Sequence, residues 1–412
     1  MPSVNSSKNS SKVRIREPSM SDAENQSRPD GLATLGVHGA ESGDRQPGRP
    51  VVSPIVQSAT FHWAKPEDGE LLYSRYGNNP NQLEVGRKIA ALEGTEAAIA
   101  LGSGMAATAM VFLALTEAGD HILASSQLYG ATRALLLDEL PRRGIETTFV
   151  DPDTDQGWQK ALRPETRIIH IELPTNPTLR FFDPRPIAQL AKQEGITLTC
   201  DTTFSSPVNF RPYNLGIDVV IHSATKYLGG HSDLIAGAVA GSKEVVSEVM
   251  RMSCLYGPAL DPHAAWLLDR GLRTLEVRMT RHNENALLLA TWLSQQTGIE
   301  AVIYPGLPSH PDHVMASELM VGWGGMVSIV LEGGGVTADR FMDKLQLATA
   351  APSLGGVETL VSQPRYTSHS GLTTAERDAW GIPDGFVRIS VGIETIDDLI
   401  TDFAQALKAS RV

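Results

Sequence analysis

The stretch Asp218-Val-Val-Ile-His-Ser-Ala-Thr-Lys226-Tyr-Leu-Gly-Gly-His231 is an apolar strand that empties into small hydroxyl residues, one lysine and a glycine pair. Val219 to Ile221 has the unbroken apolar character of a strand covered on both faces. The hydroxyls of Ser223 and Thr225 are suited to an anion, and the paired glycines let other backbone approach closely. Lys226 is then either a covalent anchor or an ordinary solvated cation in a turn. The sequence on either side decides between these.

Six more apolar runs surround the first: Ala97 to Leu101, His121 to Ala124, Ile145 to Val150, Arg167 to Ile171, Ile196 to Cys200 and Ile235 to Ala240. Helical stretches separate most of them, including Leu83 to Leu92, Gly104 to Ala118, Ala131 to Arg142 and Pro184 to Gln193. This alternation predicts an α/β fold whose mostly parallel seven-stranded sheet is covered by helices on both faces. Ligands of such sheets bind at the C-terminal ends of the strands. Past about Arg273 the order loosens into a long helix through Leu293, a Gly-rich strand hairpin near Met326 to Leu331 and a helix from about Ala338. A strand from Phe386 to Val391 and a last helix from Ile396 to Leu407 complete a smaller α+β C-terminal domain. Residues 1–30 offer almost nothing to bury and predict a flexible tail. Residues 31–78, punctuated by Pro47, Pro50, Pro54 and Pro66, predict an extended arm that packs on a neighbouring subunit. The large domain is expected over 79–275 and the smaller one over 276–412.

Composition narrows the function. A formal charge of −12 with no concentrated basic face argues against nucleic acid as a partner. The only cysteines, Cys200 and Cys254, provide neither a disulfide framework nor a zinc-site cluster, so no metal site is expected and a cytoplasmic location fits. No apolar run is long enough for a membrane span. The first sixteen residues are Ser-rich, basic and free of acids, which leaves an organelle transit peptide open against a plain tail.

Five strand ends carry polar residues that a sheet does not need there. Ser103-Gly104-Met105 turns a strand into a helix, and the free N–H groups of a helix start attract anions, although a tight turn explains the glycine equally well. Tyr129 follows the strand that ends at Ser126 and is placed either to stack on a flat ring or to pack in the core. Pro174-Thr175-Asn176-Pro177 presents an amide from a rigid loop or is simply a turn. Asp201, followed by Thr202 and Thr203, is an acid at the end of an apolar strand and wants a cationic partner or caps the next segment. The fifth end is Ser223, Thr225 and Lys226. Together these supply an anion cup, a stacking ring, an acid for a ring nitrogen and a lysine able to form an imine, which are the needs of pyridoxal 5′-phosphate (PLP).

With those residues in view the chain resembles the Cys/Met-metabolism (trans-sulfuration) family of PLP-dependent enzymes, which includes cystathionine γ-synthase, the cystathionine lyases and methionine γ-lyase. The resemblance is carried by Tyr73-Ser-Arg75-Tyr-Gly-Asn-Asn-Pro80, Ala90-Ala-Leu-Glu-Gly94, Ser103-Gly-Met105, Asp201-Thr-Thr203, His222-Ser-Ala-Thr-Lys-Tyr227, Ser353-Leu-Gly-Gly-Val-Glu358 and Arg388-Ile-Ser-Val-Gly-Ile-Glu394. It spans about Leu32 to the C-terminus. It implies the fold of fold-type I PLP-dependent transferases, with Lys226 as the Schiff-base lysine, Asp201 as partner of the pyridine nitrogen and Tyr129 stacked on the ring and assisting proton transfer. Ser103, Gly104, Met105, Ser223 and Thr225 surround the phosphate in this reading, with Thr203 near the ring. Tyr73 and Arg75 reach the cofactor of a neighbouring subunit, and a homotetramer built from catalytic dimers is expected. Arg388, helped by Ser353 and Asn176, binds the substrate α-carboxylate, a task that suits its planar fork.

The implied reaction is γ-elimination or γ-replacement on a sulfur-containing or O-activated homoserine-type amino acid, and the distal pocket decides the branch. Cystathionine γ-synthases and γ-lyases commonly carry Glu just before the Ser-Leu-Gly-Gly motif, where this chain has Pro352. Leu72 and Tyr76 stand where a familiar bacterial γ-synthase has an acid and an arginine. The loss of these charges points to a less polar distal group. Methionine γ-lyases share an apolar pocket, yet their reactive cysteine after the Tyr-Gly pair is Ala131 here. Elimination is expected ahead of replacement, with β-elimination third. A catalytically silent PLP-fold binding protein is the non-enzyme reading, and a nucleotide-binding α/β protein is disfavoured by the absent glycine fingerprint.

Overall fold

The computed structural model describes residues 31–411 apart from 41–46, 49, 64, 66, 68, 70, 153 and 155. The tail expected over 1–30 therefore lies outside the described residues, as does Pro66. Seven strands, β1 (Ala97–Leu101), β2 (His121–Ser125), β3 (Glu146–Val150), β4 (Thr166–Glu172), β5 (Thr197–Asp201), β6 (Val219–His222) and β7 (Gly237–Gly241), form one sheet in the order β1-β7-β6-β5-β4-β2-β3. Every pair is parallel except those made by β7, which runs against both β6 and β1. The loop carrying Lys226 consequently leaves the C-terminal end of β6 and returns into the sheet beside it.

Helices cover this sheet for reasons visible in the sequence. The helix Pro80–Glu93 starts with proline and a reciprocal Asn79/Gln82 capping box and ends on Gly94 in the left-handed conformation. It buries Val85, Ile89 and Leu92 completely or nearly so. Gly86 is required there, since a Cβ would lie 2.6 Å from the Ala98 carbonyl oxygen. The Gly104–Leu115 helix buries Ala107, Val111 and Phe112 with no exposed surface, each such side chain contributing about 1–3 kcal/mol of burial. Two helices follow β7, Lys243–Tyr256 and Pro262–Leu272, where the periodicity had marked none.

The second sheet has the order β10-β11-β12-β9-β8, made of β8 (Ile299–Ile303), β9 (Met326–Leu331), β10 (Thr349–Ala350), β11 (Leu360–Ser362) and β12 (Phe386–Ser390). The hairpin expected near Met326 to Leu331 is instead the single strand β9, held between β8 and β12. The glycines that suggested a turn lie after it, where Gly333 and Gly334 at positive φ start the helix Gly334–Lys344. Two expectations for helices also shift. The 131–142 stretch divides into a short helix at Gly130–Ala134, a π turn at Leu135–Glu139 and a 3₁₀ turn at Pro141–Arg143. The arm is not wholly extended, because Leu32–His38 is helical and sets Leu32 and Leu35 against the core of the large sheet.

Candidate active site

The C-terminal ends of β1, β4, β5 and β6 face one cavity of about 680 Å³, closed on the other side by the β10–β11 connection and β12. Ser103, Gly104, Met105, Tyr129, Asn176, Asp201, Thr203, Ser223, Thr225, Lys226, Ser353 and Arg388 all line it. Tyr73 and Arg75 do not. Arg75 donates from Nη1 to the Cys254 carbonyl at 2.5 Å, and its guanidinium lies 5.4 Å from the Tyr73 ring and 4.9 Å from the Tyr76 ring.

One end of the cavity is built for an anion. Ser103 Oγ caps the helix Gly104–Leu115 by accepting from the Ala106 N–H at 3.0 Å. A Cβ on Gly104 would stand 2.7 Å from Ser223 Cβ, so only glycine lets the helix start meet the end of β6. Thr225 Oγ1 donates to the Ala236 carbonyl at 3.1 Å and accepts from the Ala236 N–H at 3.0 Å, closing the Lys226 loop on itself. Ser223 donates its N–H to Thr203 Oγ1 at 2.8 Å, which ties the end of β6 to that of β5. Thr203 thus holds the scaffold together as well as lining the cavity.

The acid and the base are both shifted by burial. Asp201 accepts the Thr203 N–H at 2.9 Å, and desolvation holds its carboxyl above the usual range. A buried carboxylate of this kind is stabilised by a cation delivered to it. Lys226 Nζ donates to Ser353 Oγ at 2.6 Å, and its ammonium is pushed down to about 8, first by burial and then by the Arg388 charge. Arg388 is 5 % exposed and is brought down to about 10 by burial. It donates to Asn176 Oδ1 and to the Ser353 carbonyl, each at 3.1 Å. Both partners are neutral, so the guanidinium keeps its charge for an incoming anion.

PLP fits these residues. The capped helix start with Ser223 and Thr225 would take the phosphate, Asp201 the ring nitrogen, Tyr129 the ring face and Lys226 the aldehyde carbon. The cavity also contains residues that the motifs did not single out: Glu172 on β4, Phe204, Ile235 and the hydroxyl run Tyr366-Thr367-Ser368. Glu172 is the in-register neighbour of Asp201, and burial together with Asp201 holds its carboxyl well above the usual range. An acid ending an apolar strand just before Pro174 carried the same signal as Asp201. Nothing in the spacing marked Tyr366 to Ser368.

The chain belongs to the Cys/Met metabolism PLP-dependent enzyme family, whose model matches residues 33–408. The protein is accordingly a PLP-dependent enzyme. It is 41% identical over 393 residues to the L-methionine gamma-lyase of Pseudomonas putida, covering 92% of this chain and 98% of that one. It is 40% identical over 338 residues to the O-succinylhomoserine sulfhydrylase of Pseudomonas aeruginosa, covering 82% and 84% of the two chains. Among solved structures it is similar to a cystathionine gamma-lyase from Lactobacillus plantarum complexed with L-serine, at a TM-score of 0.88, 36% identity, and coverage of 92% and 99%.

Proposed function

We propose that this enzyme removes the γ-substituent of a sulfur-containing L-amino acid by elimination, acting best on thioethers whose distal end is uncharged. The observation that carries the reading is the role of Ser353 as a shared support: its carbonyl accepts from Arg388 and its hydroxyl from Lys226, so carboxylate grip and amine stand on one residue. When bound, PLP supplies an electron sink conjugated with the substrate α-carbon. Arg388 and Asn176 hold the substrate α-carboxylate. Lys226 Nζ, with its proton affinity lowered by burial, takes the α-proton and then a β-proton and returns them. Tyr129 Oη is the second proton carrier and serves the leaving group. Asp201 keeps a proton on the ring nitrogen.

The preference for an uncharged distal end rests on the cavity walls. Among the described residues its only carboxylates are Glu172 and Asp201 on the sheet side, while Pro352, Leu354, Ile235 and Phe204 supply apolar surface. A distal ammonium group on that side meets hydroxyls and apolar surface rather than a carboxylate. Replacement of an O-activated homoserine by a thiol is the second reading, favoured by the likeness to the sulfhydrylase. Tyr73 and Arg75, which lie outside the cavity of their own chain, serve the phosphate of a second copy, and a homotetramer of catalytic dimers in the cytoplasm completes the proposal. Among the described residues no helix is long and apolar enough to cross a membrane.

The test is to incubate the yellow holoenzyme with methionine, homocysteine, cystathionine and O-acylhomoserines with and without a thiol, scoring 2-oxo acid, ammonia and thioether. Ammonia and 2-oxobutanoate from methionine are expected. Thioether from an acylhomoserine with little 2-oxobutanoate from any substrate would move the assignment to replacement. Co-expressed R75A and K226A chains should recover part of the activity that each lacks alone, because one mixed dimer site keeps both native residues.

A further inference from the structure

Glu172 is a buried acid with no cation beside it, and neither the cofactor contacts nor the carboxylate grip above use it. Its two oxygens point to two different loops. Oε2 accepts the backbone N–H of Tyr129 at 2.7 Å, and Oε1 accepts that of Asn176 at 2.9 Å. The Tyr129 loop opens the short helix at Gly130–Ala134, and Asn176 lies between β4 and the Arg185–Glu194 helix. These segments are 47 residues apart; Gln127 Oε1 also joins them by accepting from Thr175 Oγ1 at 3.3 Å and Thr178 Oγ1 at 3.2 Å, but among the described residues only Glu172 takes the two backbone N–H groups. The side chain therefore spans the gap between the ring-facing tyrosine and the amide that orients Arg388 through Oδ1.

We propose that Glu172 is a positioning residue for the reaction, a clasp whose two oxygens fix the Tyr129 and Asn176 loops at once and so set the stacking phenol against the carboxylate grip. The two backbone N–H bonds favour the ionised carboxyl and so offset part of the cost of placing an acid next to Asp201 on the adjacent strand, and a carboxyl offers an oxygen to each loop where an amide has only one. An alanine would leave both N–H groups buried and unpaired. A glutamine keeps one acceptor oxygen and turns an NH₂ group onto the other donor. The inference rests on the assignment of Asn176 and Arg388 to the substrate carboxylate, but the clasp itself is measurable without turnover.

The experiment compares E172Q and E172A with the unsubstituted holoenzyme by backbone hydrogen exchange over the peptides holding Tyr129 and Asn176, and by steady-state kinetics. Loss of one buried acceptor corresponds to about a 10- to 100-fold faster exchange at the freed amide. E172A is expected to release both amides, and E172Q one of them. If E172Q frees Asn176, KM should rise about tenfold with kcat held; if it frees Tyr129, kcat should fall by a similar factor with KM held. Should E172A not fold, E172Q carries the test alone. Unchanged exchange at both amides, or released amides with unchanged KM and kcat, would overturn the proposal. Where no sulfur substrate is turned over by the unsubstituted enzyme, the functional reading fails separately, and the clasp is still read from amide exchange and from the glycine dissociation constant measured by visible absorption.

Discussion

Lys226 and Ser353 meet across the junction of the two sheets, the lysine Nζ donating to the serine hydroxyl at 2.6 Å while the serine backbone sits at φ 86°. A non-glycine residue in that region is strained by about 1–2 kcal/mol. The strain places the hydroxyl and the carbonyl of one residue against two functional cations.

S353G and S353A separate these contributions. The glycine variant should be more stable than wild type by roughly 1 kcal/mol, and the alanine variant should not. Both should lose about tenfold in kcat/KM through the missing hydroxyl. Calorimetry and kinetics on the two proteins decide this, and equal stabilities would remove the strain argument.

The lowered proton affinity of Lys226 should be visible in cofactor-free protein. Amine-reactive labelling quantified by mass spectrometry is expected to rise at Lys226 with a midpoint near pH 8. Exposed lysines should follow about two units or more later, in their ordinary range near 10.4. Between the two values the unfolded chain holds more protons than the folded one, so this residue's contribution to stability grows as pH rises through that window.

Asp201 predicts the opposite slope. Its carboxyl is raised by burial, so the folded cofactor-free protein binds more protons than the unfolded chain between the two carboxyl values, and stability falls as pH rises through them. D201N keeps the acceptor for the Thr203 N–H and removes the charge. It should stabilise the cofactor-free protein by about 1–3 kcal/mol at neutral pH, with the difference vanishing in acid, where Asp201 is protonated. The same variant should lose about 10²-fold or more in activity. A variant less stable at neutral pH would contradict the assignment of an acid whose desolvation outweighs its bonds to Thr203.

Pro352 lines the cavity immediately before Ser353 and is the position to charge. P352E should shift the ratio of kcat/KM for cystathionine over methionine upward by about 10- to 100-fold, since a close opposite charge is worth roughly 1–3 kcal/mol in a partly buried site. Kinetics with the two substrates test this. An unchanged ratio would place the distal group elsewhere.

The large sheet was legible because its inner strands, such as β2, β6 and β7, are buried along their whole length and write apolar runs into the sequence, while the edge strand β3, Glu146–Val150, is partly open. Strands of this sheet ended in residues that covered strands do not require, and this exposed Ser103, Asp201 and Lys226. The second sheet was harder. Its β10 has only two residues, Thr349 and Ala350, both exposed, and β11 is three residues long, so neither yields a period. Glu172 falls just past the run Arg167 to Ile171 with no motif to mark it, and its two N–H partners lie in loops whose approach no spacing records. Tyr366 to Ser368 enter the cavity through contacts such as that of Gly130, where a Cβ would stand 2.4 Å from the Ser368 carbonyl oxygen. Tyr73 and Arg75 matched a motif, yet in the fold they turn to Cys254 and Tyr76 rather than to their own cavity.

The junction at which Gly355 lies against the Lys226 loop, so close that a Cβ would come within 2.6 Å of the Tyr227 nitrogen, divides the cavity into two banks. Of the residues proposed for the cofactor, Ser103, Asp201, Ser223, Thr225 and Lys226 sit at or just after strand ends of the seven-stranded sheet. Pro352, Leu354 and Tyr366 belong to connections of the smaller sheet that no cofactor contact constrains. Substitutions at Pro352, Leu354 and Tyr366 can therefore reshape the space for a distal group while the strand ends stay as they are, provided Ser353 and Arg388 on the same bank keep their bonds to Lys226 and Asn176.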